Sequence, residues 1–171
     1  MGIQKSKIKY FDNTFSATVE NNAFKVKGRR YGSPNFLTLL EVENELVNKI
    51  SFKFIEGNRL LLVYKDGDSL KSKEFSGQFK GNGYYEIFLR NDSKVVPLIY
   101  GRHNINRIRI AMTNQNGLII DNEWNESGNL LFIGVGDKGR RQSFFNFKPN
   151  LLATKRSTTL VGAMGSEEHR L

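Results

Sequence analysis

GNGYYEIFLRN, residues 81–91, carries the signature that decides the fold class. Gly81-Asn82-Gly83 is a turn, and the residues after it favour strands. Tyr85, Ile87 and Leu89 form an apolar row, as a buried sheet face requires. The opposite row, Tyr84, Glu86, Phe88 and Arg90, is neither polar nor apolar. A sheet face in water alternates cleanly, so this second row predicts cover of some kind.

The same grammar runs outward in both directions. Phe15, Ala17 and Val19, then Phe24 and Val26, flank Glu20-Asn21-Asn22 as a candidate hairpin. Ile50, Phe52 and Phe54 run into Glu56-Gly57-Asn58, and Leu60, Leu62 and Tyr64 run out to Asp66-Gly67-Asp68. Phe75, Gly77 and Phe79 lead to the strand at 84–90, which Asn91-Asp92-Ser93 is expected to end. Val95-Val96-Pro97-Leu98-Ile99-Tyr100 follows, and Pro97 marks an edge, bulge or bend. Gly101 to Asn104 reads as a turn, then Ile108, Ile110 and Met112 as a strand. Leu118–Trp124, Leu130–Val135 and Ser143–Phe147 complete nine or ten short strands, with turns at 113–117, 126–129 and 137–139.

This spacing predicts an all-β domain: an antiparallel up-and-down barrel or strongly curved sheet with one short helix. The helix is expected over 34–48, with Ser33 as N-cap, Pro34 at its first position, and Phe36, Leu39, Leu40, Glu43, Leu46 and Val47 at helical spacing. The competing reading there is an extended segment over 37–42. One domain, 1–148, fits the length, and 149–171 reads as a poorly ordered tail. Burying a Leu or Ile is worth roughly 1.5–3 kcal/mol. Ile119, Leu131, Ile133 and Val135 therefore call for a cover, and the helix is the internal candidate. A partner chain or a membrane surface is the external one.

Lys and Arg exceed Asp and Glu by 26 − 17 = 9, which favours anionic partners. The charge is scattered, so a solubility surplus explains it as well. The chain has no Cys, which removes disulfides, thiolate zinc sites and cysteine nucleophiles. No apolar run approaches ~18 residues, and no hydrophobic leader opens the chain. No cofactor or metal site is expected: His103 lies between Arg102 and Arg107, and His169 is in the tail. Asp66-Gly67-Asp68 lacks the spaced ligands of a calcium loop, and GVGDKGRR lacks the P-loop pattern. Asp121 and Glu123 share a strand face, which makes a carboxylate-dependent glycan hydrolase conceivable but the weakest of the readings.

GNGYYEIFLRN, then INRIRIAMTNQNGLIIDNEW and GNLLFIGVG, resemble uncharacterised secreted or lipid-anchored proteins of Bacteroidetes, over about 46–147. The resemblance implies a lipocalin-like barrel, a place in the cell envelope, no established activity and no catalytic residue. The chain lacks the leader and lipidation cysteine of that group.

The functional expectation is thus a non-enzymatic binding or structural protein with no catalytic residue, partnered by a small apolar ligand or an envelope protein. Candidate ligand-wall residues are Tyr85, Ile87, Leu89, Ile108, Ile110, Met112, Trp124 and Phe132; in a narrow barrel they simply fill the core. The alternative is a polyanion or single-stranded nucleic-acid binder using Arg90, Arg102, Arg107 and Arg109.

Overall fold

The computed structural model describes residues 8–9, 12–28, 35–43, 46–81, 83–96, 100–115, 117–130 and 133–150. Its strands are β1 (Ile8–Lys9), β2 (Ser16–Glu20), β3 (Lys25–Gly28), β4 (Lys49–Ile55), β5 (Arg59–Asp66), β6 (Ser69–Ser76), β7 (Gln78–Lys80), β8 (Tyr84–Val96), β9 (Tyr100–Thr113), β10 (Gly117–Leu130) and β11 (Ile133–Pro149). One short helix, α1, spans Phe36–Leu39. All the strand pairings are antiparallel and form one sheet, in the order β6-β5-β4-β2-β11-β10-β9-β8-β7. Off that path, β1 pairs with β9 and β3 with β11.

The two ends of that order are neighbours in the chain. β6 ends at Ser76, β7 begins at Gln78, and Gly77 alone lies between them. The sheet curls until its edges are one continuous segment, half paired with β5 and half with β8. No ladder joins β6 directly to β8 among the described residues, so the curl is not hydrogen-bonded all round. The corner needs glycine. A Cβ on Gly77 would lie 2.5 Å from the Glu86 carbonyl oxygen and 2.6 Å from the Tyr85 ring.

Inside the curl, alternate residues of every long strand meet. Ile50, Phe52 and Phe54 of β4, Leu60 and Leu62 of β5, Tyr85 and Ile87 of β8, Ile108 and Ile110 of β9, Leu118 and Ile120 of β10, and Phe145 of β11 are all buried. Phe54, Phe79 and Tyr85 form a ring cluster with centroids 4.7–5.0 Å apart.

The helix is shorter than its sequence pattern, and it lies inside. The cap is Asn35, whose side chain accepts from the Thr38 N–H at 2.7 Å. Glu41 then adopts φ 56, which stops the helix. Buried Asn21 fixes the segment, accepting from the Leu37 N–H at 3.1 Å and donating to the Val47 carbonyl at 2.7 Å. The expected helix over 34–48 is thus cut to one turn, and Ser33 and Pro34 lie outside the described residues. Phe36 stacks on Phe52 and meets Phe145 edge-on, so α1 plugs the interior; it does not cover the outer face as its pattern suggested.

Three other expectations are corrected. β2 and β3 do not pair with each other. Both pair with β11, at 147–149 and 141–144, because Asn21 is buried in holding α1 and cannot turn the chain. Leu89 leaves the buried row at a register shift between Phe88 and Arg90; it is only partly buried. Finally, β8 to β11 are 13, 14, 14 and 17 residues long. The clusters at 91–93, 101–104, 126–129 and 137–139, expected as turns, lie inside ladders. The expected strand Leu130–Val135 instead straddles the β10–β11 connection, since Leu130 pairs with Ile133. Polar and glycine-rich sequence signals exposure, and here the exposed sequence is still paired as sheet.

Candidate functional site: a four-stranded arm with an apolar end

The long strands leave the body together. Their far halves, Arg90–Val96, Tyr100–Asn106, Trp124–Leu130 and Ile133–Gly139, form an arm in which each strand pairs with the next. Register sorts its inward-phase residues into rows, since directly paired residues share a face. Nearest the body lie Arg90, Asn106, Trp124 and Gly139. Next come Asp92, Asn104, Glu126 and Asp137, then Lys94, Arg102, Gly128 and Val135. At the end, Val96, Tyr100 and Ile133 fall in one row, which the backbone of Leu130 joins by pairing with both Tyr100 and Ile133.

The first rows brace the arm against the body. Glu41, on the segment after α1, meets Arg90 at 3.1 Å and accepts from Asn106 Nδ2 at 2.8 Å. Asn122 Nδ2 donates to Asn106 Oδ1 at 2.8 Å. Trp124 Nε1 donates to Asp137 at 2.9 Å, and its indole lies against Gly139. Asn104 is buried, and its side-chain oxygen has no partner among the described residues.

The outer phase explains the mixed row of the quoted strand. Glu86, Arg109, Asp121 and Gln142 line up across β8–β11, with Arg107, Glu123 and Arg140 in the next row. Arg109 Nε meets Glu86 at 3.0 Å, Arg107 meets Glu123 at 2.6 Å, and Arg140 grips the buried carboxylate of Asp121. Arg107 also lies over the Phe88 ring and Arg109 over Tyr84. The cover is this lattice of charged side chains with apolar stems. Ile119 is buried beneath that face, as expected; Phe88 is half-exposed. Burial pushes the Glu123 carboxyl up, but the Arg107 hydrogen bond and the charges of Arg107, Arg109 and Arg140 outweigh it and hold it below the usual range. Glu123 is therefore ionised at neutral pH and is no proton donor there.

Beyond the lattice the cover stops. Val95, Val96 and Tyr100 are exposed, and Ile133 and Val135 are 74% and 73% exposed. The expectation that Ile133 and Val135 are covered within the chain is overturned, because among the described residues the arm carries them beyond the elements of the body. Sequence reasoning missed this end as a site. The available signal was charge: residues 93–103 and 127–136 contain no Asp or Glu.

The sequence-derived candidates separate. Tyr85, Ile87, Ile108, Ile110 and Met112 share the inner face and are buried among the rings of the body. Leu89 sits at the bulge, and Trp124 lies two rows outward from Ile120, half-buried at the start of the arm. Phe132 lies outside the described residues. The four arginines are split between faces. Arg107 and Arg109 belong to the outer lattice, and Arg90 is paired with Glu41 and Glu126. Arg102 is exposed, one row from the apolar end.

Among the described residues, no cluster of His, Asp or Glu has the arrangement to hold a metal ion. No helix among them is long and apolar enough to cross a membrane. Compared with protein-family models, curated proteins and solved structures, the chain has no match in any of the three.

Proposed function

We propose that this chain is a non-enzymatic binding or structural protein that engages its target through the far end of the arm. A place in the cell envelope, implied by the sequence resemblance, belongs to the same proposal. The observation that carries it is the exposed row of Val96, Tyr100 and Ile133, with Val135 one row behind on the same face and Val95 on the opposite face. A chain that buries Ile108, Ile110 and Ile120 completely has the means to bury apolar side chains. Contiguous apolar surface left at the end of a braced sheet is the mark of an interaction site.

Hydrogen exchange tests it. The protein is mixed separately with the membrane and soluble fractions of the cells that express it. Protection confined to 93–103 and 127–136 in either fraction is expected. No new protection in either fraction, or protection restricted to the body, would overturn the reading.

A small apolar ligand is the second reading, favoured by the shared inner face of Tyr85, Ile87, Ile108, Ile110 and Met112. Fatty acids or retinoids that quench Trp124 emission would support it, and unchanged emission would retire it.

A further inference from the structure

The geometry points to an anionic lipid surface as the partner of the arm's end, which docks tip-first without spanning the bilayer. This inference rests on the proposed use of the arm and names its target. The argument is the sequence of rows. Outermost among the described residues is the apolar row of Val96, Tyr100 and Ile133, with Tyr100 supplying an aromatic ring and a hydroxyl. One row back stand Lys94 and Arg102, about 7 Å away by strand rise. One row further stand Asp92, Glu126 and Asp137, about 14 Å from the apolar row.

That order matches a membrane interface in depth. Apolar side chains of a peripheral protein sit about 5–10 Å into the boundary between headgroups and acyl chains. Lys and Arg one row behind reach phosphate level, with long stems along the apolar surface. The acidic row stands about 7 Å behind the Lys94 and Arg102 row, close to one Debye length of about 8 Å, so its repulsion is weakened by screening. The outer phase obeys the same order: Val95, Gly101, Asn129 and Gly134 are level with the apolar row, and Ser93, His103, Ser127 and Gly136 come next. No carboxylate side chain stands in these two outermost rows on either face.

A second copy of the chain fits less well. Edge-to-edge pairing of arms would use β8 and β11. Those edges carry Arg90, Asp92 and Lys94 on one side and Asp137 and Lys138 on the other, charges that discourage strand addition. The cationic row behind the apolar end would also meet its own like.

The test is co-sedimentation of the full chain with phosphatidylcholine vesicles and with vesicles of phosphatidylcholine mixed with phosphatidylglycerol. Binding to the mixed vesicles alone is expected. The double substitution Lys94→Ser, Arg102→Ser should weaken it about 30-fold, at roughly one basic contact's worth for each residue. Ile133→Asn with Val135→Asn should weaken it about tenfold or more. Lys49→Ser with Lys53→Ser, which removes equal charge from β4 on the body, should change it less than about threefold. All six positions are exposed, so the fold tolerates the changes.

Depth has its own readout. Trp124 lies three rows from the end, so its emission should not move when vesicles bind. A Trp placed by Tyr100→Trp in a Trp124→Phe background should shift to the blue. Absence of binding, equal loss in the β4 variant, or no shift from the Trp at 100 would overturn the lipid assignment. If exchange protection of the arm then appears only with the soluble fraction, a protein partner replaces lipid and the use of the arm stands. If it appears with neither fraction, both fall.

Discussion

The hydroxyl of Tyr85 donates to the Asn58 carbonyl at 2.5 Å, fastening strand β8 to the turn between β4 and β5. A second acceptor, the Phe75 carbonyl, lies at 3.3 Å. These contacts join parts of the sheet that no strand ladder joins among the described residues, beside the corner at Gly77.

Tyr85→Phe should cost about 1–2 kcal/mol, because a carbonyl at the seam loses its donor. It should also change the alkaline limb of stability. Burial pushes the Tyr85 hydroxyl up to about 12 from an ordinary value of 10.0. The native state therefore keeps a proton that the unfolded chain has lost between those values. Its contribution is full below pH 10.0 and lost as pH rises toward about 12. Urea midpoints across that window should fall steeply for the parent chain and less steeply for the variant. Parallel curves would refute the assignment.

Gly77→Ala should destabilise the fold by about 1–3 kcal/mol, since both nearest obstacles belong to the packed strand β8. Gly81→Ala is the comparison, because a Cβ there meets nothing within 4 Å. A thermal midpoint lowered only in the first variant is the expected result, and equal midpoints would remove the corner from the account.

Asp121→Ala should be the most damaging single change on the outer face, at about 3–5 kcal/mol. Its carboxylate is fully buried, and Arg140 and Arg109 lose their acceptor together. Glu126→Ala, on the exposed part of the arm, should cost no more than about 0.5 kcal/mol. Guanidinium denaturation of the two variants measures the difference. A loss at Asp121 no larger than at Glu126 would mean that the lattice is merely surface charge.

Glu123→Gln tests the lattice through pH. A carboxyl held below its ordinary value contributes stability above the unfolded value and loses it as pH falls through the lower, folded one. The variant should be less stable at neutral pH and decline less on acidification below the usual carboxylate range. An unchanged acid limb would show that the neighbouring arginines do not govern this group.

The sequence by itself determined the class of fold. Alternation in β4 and β5 and the Gly57-Asn58 turn gave the hairpin that the structure contains, because one face of those strands is buried and periodicity records burial. The candidates Ile87, Ile108 and Ile110 were legible as an inner face for the same reason. Tertiary structure alone decided three things. It turned the Phe36–Val47 pattern into a one-turn plug, since the sheet and Asn21 outweigh the propensity of so short a segment. It set Arg107, Arg109 and Arg140 against Glu86, Asp121 and Glu123 on the outer face, where only cross-strand register brings them together. And it continued the ladders through 91–93 and 101–104, where backbone pairing persists although Asn91, Asp92, Ser93 and Arg102 are exposed. Composition reports which side chains are exposed; it does not report whether the exposed backbone is still paired. The arm and its apolar end were hidden behind that difference.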